Sequence, residues 1–265
     1  MAITASDVKK LRDATGAGMM DAKKALTESD GDFEKAVELL RISGLAKAAN
    51  RSDREASNGI VASTASTLIH LGAETDFVAK MDEFTGLATD IALAVATEGV
   101  ADLENALLLP FRGRTVADAV ADLAGTSGEK IELKAVATFQ EPTVAYLHRR
   151  SQDLPPQVGV LVEYEGSDAD LVKKVAMQIA SQMPQYVTRD DVPAEVLDNE
   201  RRVAELTARE EGKPEKIIDR IVEGRLGGFF KDVCLVEQPW VLDDKQTVGK
   251  VLQDAGVTVK RFARF

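Results

Sequence analysis

Apolar residues open this chain at helical spacing and change to strand spacing further on. Val8 and Leu11 begin one stripe, Ala22, Ala25 and Leu26 a second, and Phe33, Ala36, Val37 and Leu40 a third. Three short helices are therefore predicted over residues 1–45. Thr4 and Asp7 have capping-box spacing. Gly16 and Gly18 permit a very tight turn between the first two helices, leaving Met19 and Met20 side by side at the junction. Asp30-Gly31-Asp32 breaks the chain before the third helix, and the small, polar run over residues 46–58 reads as a linker.

From Gly59 the period is two. Gly59-Ile60-Val61-Ala62-Ser63 and Leu68-Ile69-His70-Leu71 predict a hairpin turning around residues 64–66. A helix over 82–98 follows, with Phe84, Leu87, Ile91 and Val95 on one face. Thr115 with Asp118 caps a shorter helix ending near Gly125. Ile131, Leu133, Ala135, Ala137 and Phe139 then alternate with polar residues as a half-buried strand. The order recurs in residues 143–149 and 157–164, a second hairpin, and in a helix over 169–182 carrying Leu171, Val175 and Ile179. Residues 194–230 read as a projecting helical hairpin broken at Gly212-Lys213-Pro214, with Val196, Val203 and Leu206 facing Ile217, Ile221, Val222 and Leu226. A strand-like stretch through Cys234, a short helix after Thr247 and a strand over 257–262 complete the chain. The fold class is α+β: a three-helix module (1–45), a linker (46–58) and two similar hairpin-plus-helix half-domains (59–140 and 141–265), the second including the helical hairpin.

At 265 residues and 45% hydrophobic content the chain can bury a substantial core. Its net charge of −11 is concentrated in residues 56–188, which argues against direct nucleic-acid binding because an acidic surface repels phosphate. The longest apolar run, 91–96, is too short for a membrane span, and a charged-then-apolar secretory start is absent, so a cytosolic address is expected. One cysteine and two histidines, scattered in sequence, argue against a disulfide within the chain and against a zinc site. Gly125-Thr126-Ser127-Gly128-Glu129-Lys130 lacks P-loop spacing, and a turn before a strand accounts for it. The carboxylates fit solvated helix faces and define no acid–base pair.

Between the first hairpin and its helix lies Thr75-Asp76-Phe77-Val78-Ala79-Lys80. On local physics Thr75 or Asp76 caps a helix and Phe77 packs at its mouth. Met19 and Met20 fit either gap-filling core positions or an exposed contact, and a lone His148 or His70 is more often structural than functional.

Residues 11–26, LRDATGAGMMDAKKAL, together with TDFVA at 75–79, closely resemble bacterial elongation factor Ts, the guanine-nucleotide exchange family of elongation factor Tu. Tyr146-Leu147-His148, Gly159-Val160-Leu161-Val162, Gly212-Lys213-Pro214 and Val222-Glu223-Gly224-Arg225 extend the resemblance over nearly the full length, although Ala22 stands where the family often has cysteine. The resemblance implies that the three-helix module is of the ubiquitin-associated type. It also implies that Asp76, Phe77, Val78 and Ala79 meet the GTPase domain of Tu, with Phe77 wedged between two Tu helices and Asp76 supporting the contact. This patch disturbs the Mg²⁺ site beside the nucleotide of Tu, while Met19, Met20 and His148 lie at further contacts. The implied activity is GDP release without covalent chemistry, catalytic residues, cofactor or bound metal. Two rival functions remain at this level: a helical adaptor using residues 1–45, and an acidic hydrolase.

Overall fold

The computed structural model describes residues 3–15, 17–49 and 53–265; Gly16, half of the expected two-glycine turn, lies outside them. The chain begins with α1 (Ala5–Thr15), α2 (Met19–Glu28) and α3 (Phe33–Ala49). Thr4 and Asp7 form the expected reciprocal cap, and their hydrogen bonds hold the Asp7 carboxyl below its ordinary pKa. Val8, Leu11, Ala22, Ala25, Leu26 and Ala36 close a small core in which alanines let the helices approach, whereas Val37 is exposed. The helix α3 continues through residues 46–49, where a linker was expected, because Ala46-Lys47-Ala48-Ala49 are strong helix formers.

Two compact units divide the chain: Met1–Thr138 with Leu147–Gly159 and Phe265, and Phe139–Tyr146 with Val160–Arg264. The first holds β1 (Asn58–Ser63), β2 (Thr67–Ala73), α4 (Asp76–Ala79), α5 (Asp82–Glu98), α6 (Leu103–Leu108), β3 (Pro110–Phe111), β4 (Arg114–Thr115), α7 (Val116–Ser127) and β5 (Ile131–Thr138). Its sheet is antiparallel in the order β1-β2-β5. Phe84, Leu87, Ile91 and Val95 of α5 pack on Ile60, Ile69 and Leu71, joined by Val116, Val120 and Leu133; burying each such side chain fully contributes about 1.5–3 kcal/mol. Inward Ile131, Leu133 and Ala137 alternate with half-buried neighbours along β5. At the outer edge of β1, Val61 N donates to the carbonyl of Pro156 at 2.8 Å, and Gly159 and Phe265 exchange a pair of backbone bonds, each 3.0 Å. In the same unit α3 crosses α7 so closely that a Cβ on Gly44 would lie 3.2 Å from Gly125 Cα.

Residues 110–115 form the hairpin β3–β4, and α6 carries only one fully buried side chain, Ala106. So little periodicity explains why neither was legible. The expected turn before the strand at 125–130 is the C-terminal end of α7, closed by Gly128 at φ 78°, where exposed carbonyls disfavour an anion.

The second unit carries most of β6 (Thr143–His148) and β7 (Val158–Glu165), then α8 (Ala169–Gln182), α9 (Ala194–Glu210), α10 (Glu215–Val233), β8 (Pro239–Trp240), β9 (Asp243–Thr247), α11 (Val248–Asp254) and β10 (Thr258–Arg264). The sheet order β10-β7-β6 makes β7 central, which explains its near-continuous apolar run. Val160, Val162 and Tyr164 pack against Val172, Val175 and Ile179 of α8. Buried Gln178 is fully used: its amide donates to Gln238 Oε1 and the Pro239 carbonyl, and its oxygen accepts from Val241 N.

The antiparallel pair α9–α10 closes through Ala204, Ala208, Ile218, Val222 and Leu226. Val196, Val203, Leu206 and Ile217, expected in that seam, are exposed, because the Leu197, Ala204, Ala208 stripe offers small side chains that allow close approach. Cys234 is not in a strand: α10 runs to Val233, a single bridge joins Cys234 to Tyr186, and a 3₁₀ turn follows over Leu235–Glu237. Its buried thiol donates to the Thr188 carbonyl, and burial raises its pKa. Among the described residues, no helix is long and apolar enough to cross a membrane.

Gly59 has φ 150°, and a Cβ there would sit 2.2 Å from the Leu71 carbonyl oxygen. Gly59→Ala is expected to cost about 2 kcal/mol or more in denaturant unfolding; a change below about 0.5 kcal/mol would contradict this strand pairing.

Candidate functional site

The connection from β2 to α5 contains one turn of helix, the four residues of α4. Thr75 caps it from an extended conformation: its hydroxyl accepts from Val78 N at 3.4 Å and donates to Glu129 Oε1 at 2.6 Å. The Thr75 backbone N donates to Glu129 Oε2 at 2.9 Å. On this turn Val78 and Ala79 point inward, with 6% and 0% of their surfaces exposed, while Phe77 is 79% exposed. An isolated exposed hydrophobe is ordinary. Here, however, the backbone beneath the ring is anchored on both sides, by Glu129 at the cap and by the buried pair Val78 and Ala79.

Asp76 stands in the first turn and pairs with Lys80 at 2.7 Å. That hydrogen bond, assisted by the lysine charge, holds the Asp76 carboxyl below its ordinary pKa. The Lys80 ammonium also lies 6.0 Å from the Phe77 ring centroid. The outer face of α4 thus presents an aromatic ring beside a balanced ion pair. Val78 and Ala79, expected in the contact patch, are buried in the core beneath the turn.

Met19 and Met20, 50% and 76% exposed, begin α2. Gly18 before them is extended, at φ −61° and ψ 149°, a conformation open to any residue, so this position does not itself require glycine. His148 is exposed at the end of β6; half-buried His70 has its pKa lowered by desolvation first and then by Lys134.

A cleft of about 860 Å³ opens in the first unit, lined among others by Gly18, Asp21, Arg41, Asp82, Glu83 and Arg112. Its arginines are engaged, Arg41 with Asp122 at 3.2 Å, Arg114 with the same carboxylate, and Arg112 with Asp90. Among the described residues no group of three or more His, Cys, Asp or Glu side chains converges to hold a metal ion. The residue that sequence reasoning missed is Glu129. It meets Thr75 across 54 positions, and no local motif announces such a contact.

The family model described as Elongation factor TS matches residues 74–265. The chain is 62% identical to elongation factor Ts of Cutibacterium acnes, over 100% of this chain and 98% of that protein. It is 56% identical to elongation factor Ts of a Nocardioides species and 53% identical to that of Saccharopolyspora erythraea, in each case over 99% of this chain and 97% of the relative.

A carboxyl whose folded pKa is lowered stabilises its surroundings fully above its ordinary pKa, and this contribution fades as pH falls through the lowered value. Lys80→Met should therefore move the Asp76 pKa upward toward its ordinary value, and with it remove most of the pH-dependent support this carboxyl gives α4. Carbon NMR titration of the Asp76 carboxyl measures the shift; an unchanged titration would remove Lys80 as its cause.

Proposed function

Since the chain belongs to the elongation factor Ts family, we propose that it binds elongation factor Tu in its GDP form and speeds GDP release. The observation that carries this reading is Phe77, an exposed ring on a short helix fastened at its base. Phe77 enters between two helices of the GTPase domain of Tu, and Asp76 supports the contact from the same turn. Val78 and Ala79 serve it from below, as the buried surface that seats the turn. Met19 and Met20 form a second contact, two flexible and polarizable side chains suited to an adaptable surface, and His148 a third. The helices α1 to α3 act as a ubiquitin-associated-type module, and the two hairpin-plus-helix half-domains as the scaffold. The protein works in the cytoplasm, without direct nucleic-acid contact.

The chemistry is linkage. Displacing Mg²⁺ from Tu removes charge that offsets the GDP phosphates, and GDP loses electrostatic stabilisation. If this protein weakens GDP binding by some factor, GDP weakens its binding by the same factor, so a transient complex of all three lets either one depart. No bond is made or broken.

Release of labelled GDP from purified Tu tests this reading. The parent protein should accelerate release, and Phe77→Ala should reduce that acceleration tenfold or more while leaving stability within about 0.5 kcal/mol, as for a central exposed anchor. Normal stimulation by a folded Phe77→Ala protein would exclude the wedge.

The α9–α10 pair is expected to be separable from exchange, because its outer surface is a lattice of ion pairs such as Arg201 with Glu223 and Arg209 with Glu215. Replacing residues 199–227 by a short linker spares Leu197, Phe229 and Phe230, which pack at the base of the pair, and should retain stimulated release. A folded deletion without activity would place the hairpin in the main contact.

A further inference from the structure

A single helical turn does not stand alone, because the first turn of a helix fixes several dihedrals for one hydrogen bond. The turn α4 has four residues and must hold an exposed ring. Its base is a reciprocal arrangement of two glutamates from segments distant in sequence. The Glu129 carboxylate accepts from the backbone N of Thr75, the residue after Glu74, at 2.9 Å. The Glu74 carboxylate accepts from the backbone N of Lys130, the residue after Glu129, at 2.5 Å. Each glutamate thus takes the N–H that follows the other. Arg54 also contacts the Glu74 carboxylate, at 3.2 and 3.3 Å, and Asn58 donates to the Glu74 carbonyl at 2.8 Å. The Glu129 backbone N in turn donates to the Ser127 hydroxyl at 3.3 Å, at the end of α7.

We propose that Glu129 is a positioning residue for nucleotide exchange, acting through Thr75 to fix the start of α4 and hence the placement of Phe77. A threonine hydroxyl has one proton, and here it goes to Glu129 Oε1 at 2.6 Å. The lone pairs are thereby left to accept from Val78 N and cap the turn. The carboxylate therefore orients the cap that orients the helix. Burial of Val78 and Ala79 sets how deep the turn sits, but two small apolar side chains do not by themselves fix where it begins. Charge-assisted hydrogen bonds supply that constraint, and a ring already held in its binding pose loses less conformational freedom when it enters a partner. This proposal rests on the exchange reading of Phe77.

The test is a double-mutant cycle in the full-length protein, read by GDP release from Tu as both maximal stimulated rate and half-maximal concentration. Glu129→Gln keeps the shape but loses one acceptor, and should lower the maximal rate roughly tenfold. In the Phe77→Ala background the same substitution should have no further effect, because the ring it positions is gone. Equal losses in both backgrounds would mean a general structural role and overturn the proposal. A loss for Phe77→Ala with none for Glu129→Gln would overturn it while leaving the exchange reading in place. Normal release by Phe77→Ala would overturn both. Should Glu129→Gln fail to fold, the pair Thr75→Ser and Thr75→Val decides: serine keeps the hydroxyl and should preserve release, valine should lose it, and equal activity of the two would overturn the proposal.

Discussion

Everything around the candidate site depends on the seating of α5 on the central strand β2. Phe84, Leu87, Ile91 and Val95 are buried against this sheet, so the end of β2 at Ala73 and the start of α5 at Asp82 are fixed relative to each other by the core itself. The connection between two fixed points can vary only within its own length. Nature of residue then decides its form: Thr75 stops and caps, Val78 and Ala79 turn inward, and Phe77 has no inward direction left to take. Its exposure follows from the geometry of one short turn on a flat apolar floor, rather than from any shortage of core to fill.

The parts of this architecture legible in the sequence were those whose physics is local. The α5 stripe and the Thr115–Asp118 capping box each repeat a rule within a few residues and stand as read, and the alternation in β5 holds at Ile131, Leu133 and Ala137 but breaks at half-buried Ala135, where the register shifts. What was illegible was decided at a distance. The inner seam of α9–α10 had two candidate stripes of apolar residues, and only packing against the other arm selects the one with alanines. The apolar residues at Cys234–Val236 resemble a strand, yet their partners are single backbone bonds to Tyr186 and Val187 rather than a ladder. In the site itself TDFVA was visible as a motif, but its division into an outward Asp76 and Phe77 and an inward Val78 and Ala79 required the sheet beneath it. The role of Glu129 required a loop 54 positions away.

Polar groups in the second unit show the same dependence on complete pairing. Gln178 and Gln238 are buried, and between them they meet the Gln182, Asp232 and Pro239 carbonyls and the Val241 N–H. An apolar pair of equal volume would remove these hydrogen bonds, at a cost of roughly 1–3 kcal/mol for each backbone group left buried without a partner. These glutamines therefore knit chain segments that have no regular ladder to share.

The bond from Val61 N to the Pro156 carbonyl, and the Gly159–Phe265 pair, tie the first unit to residues made long after its sheet. During synthesis β1, β2 and α5 emerge from the ribosome before the sheet is complete, and the outer edge of β1 has to wait for residue 156. Vectorial folding therefore passes through a stage in which an apolar sheet is assembled and only partly covered. Contacts of such long sequence separation slow closure, and exposed strands are the usual route to misassociation. The unit is thus completed by backbone bonds between segments far apart in sequence.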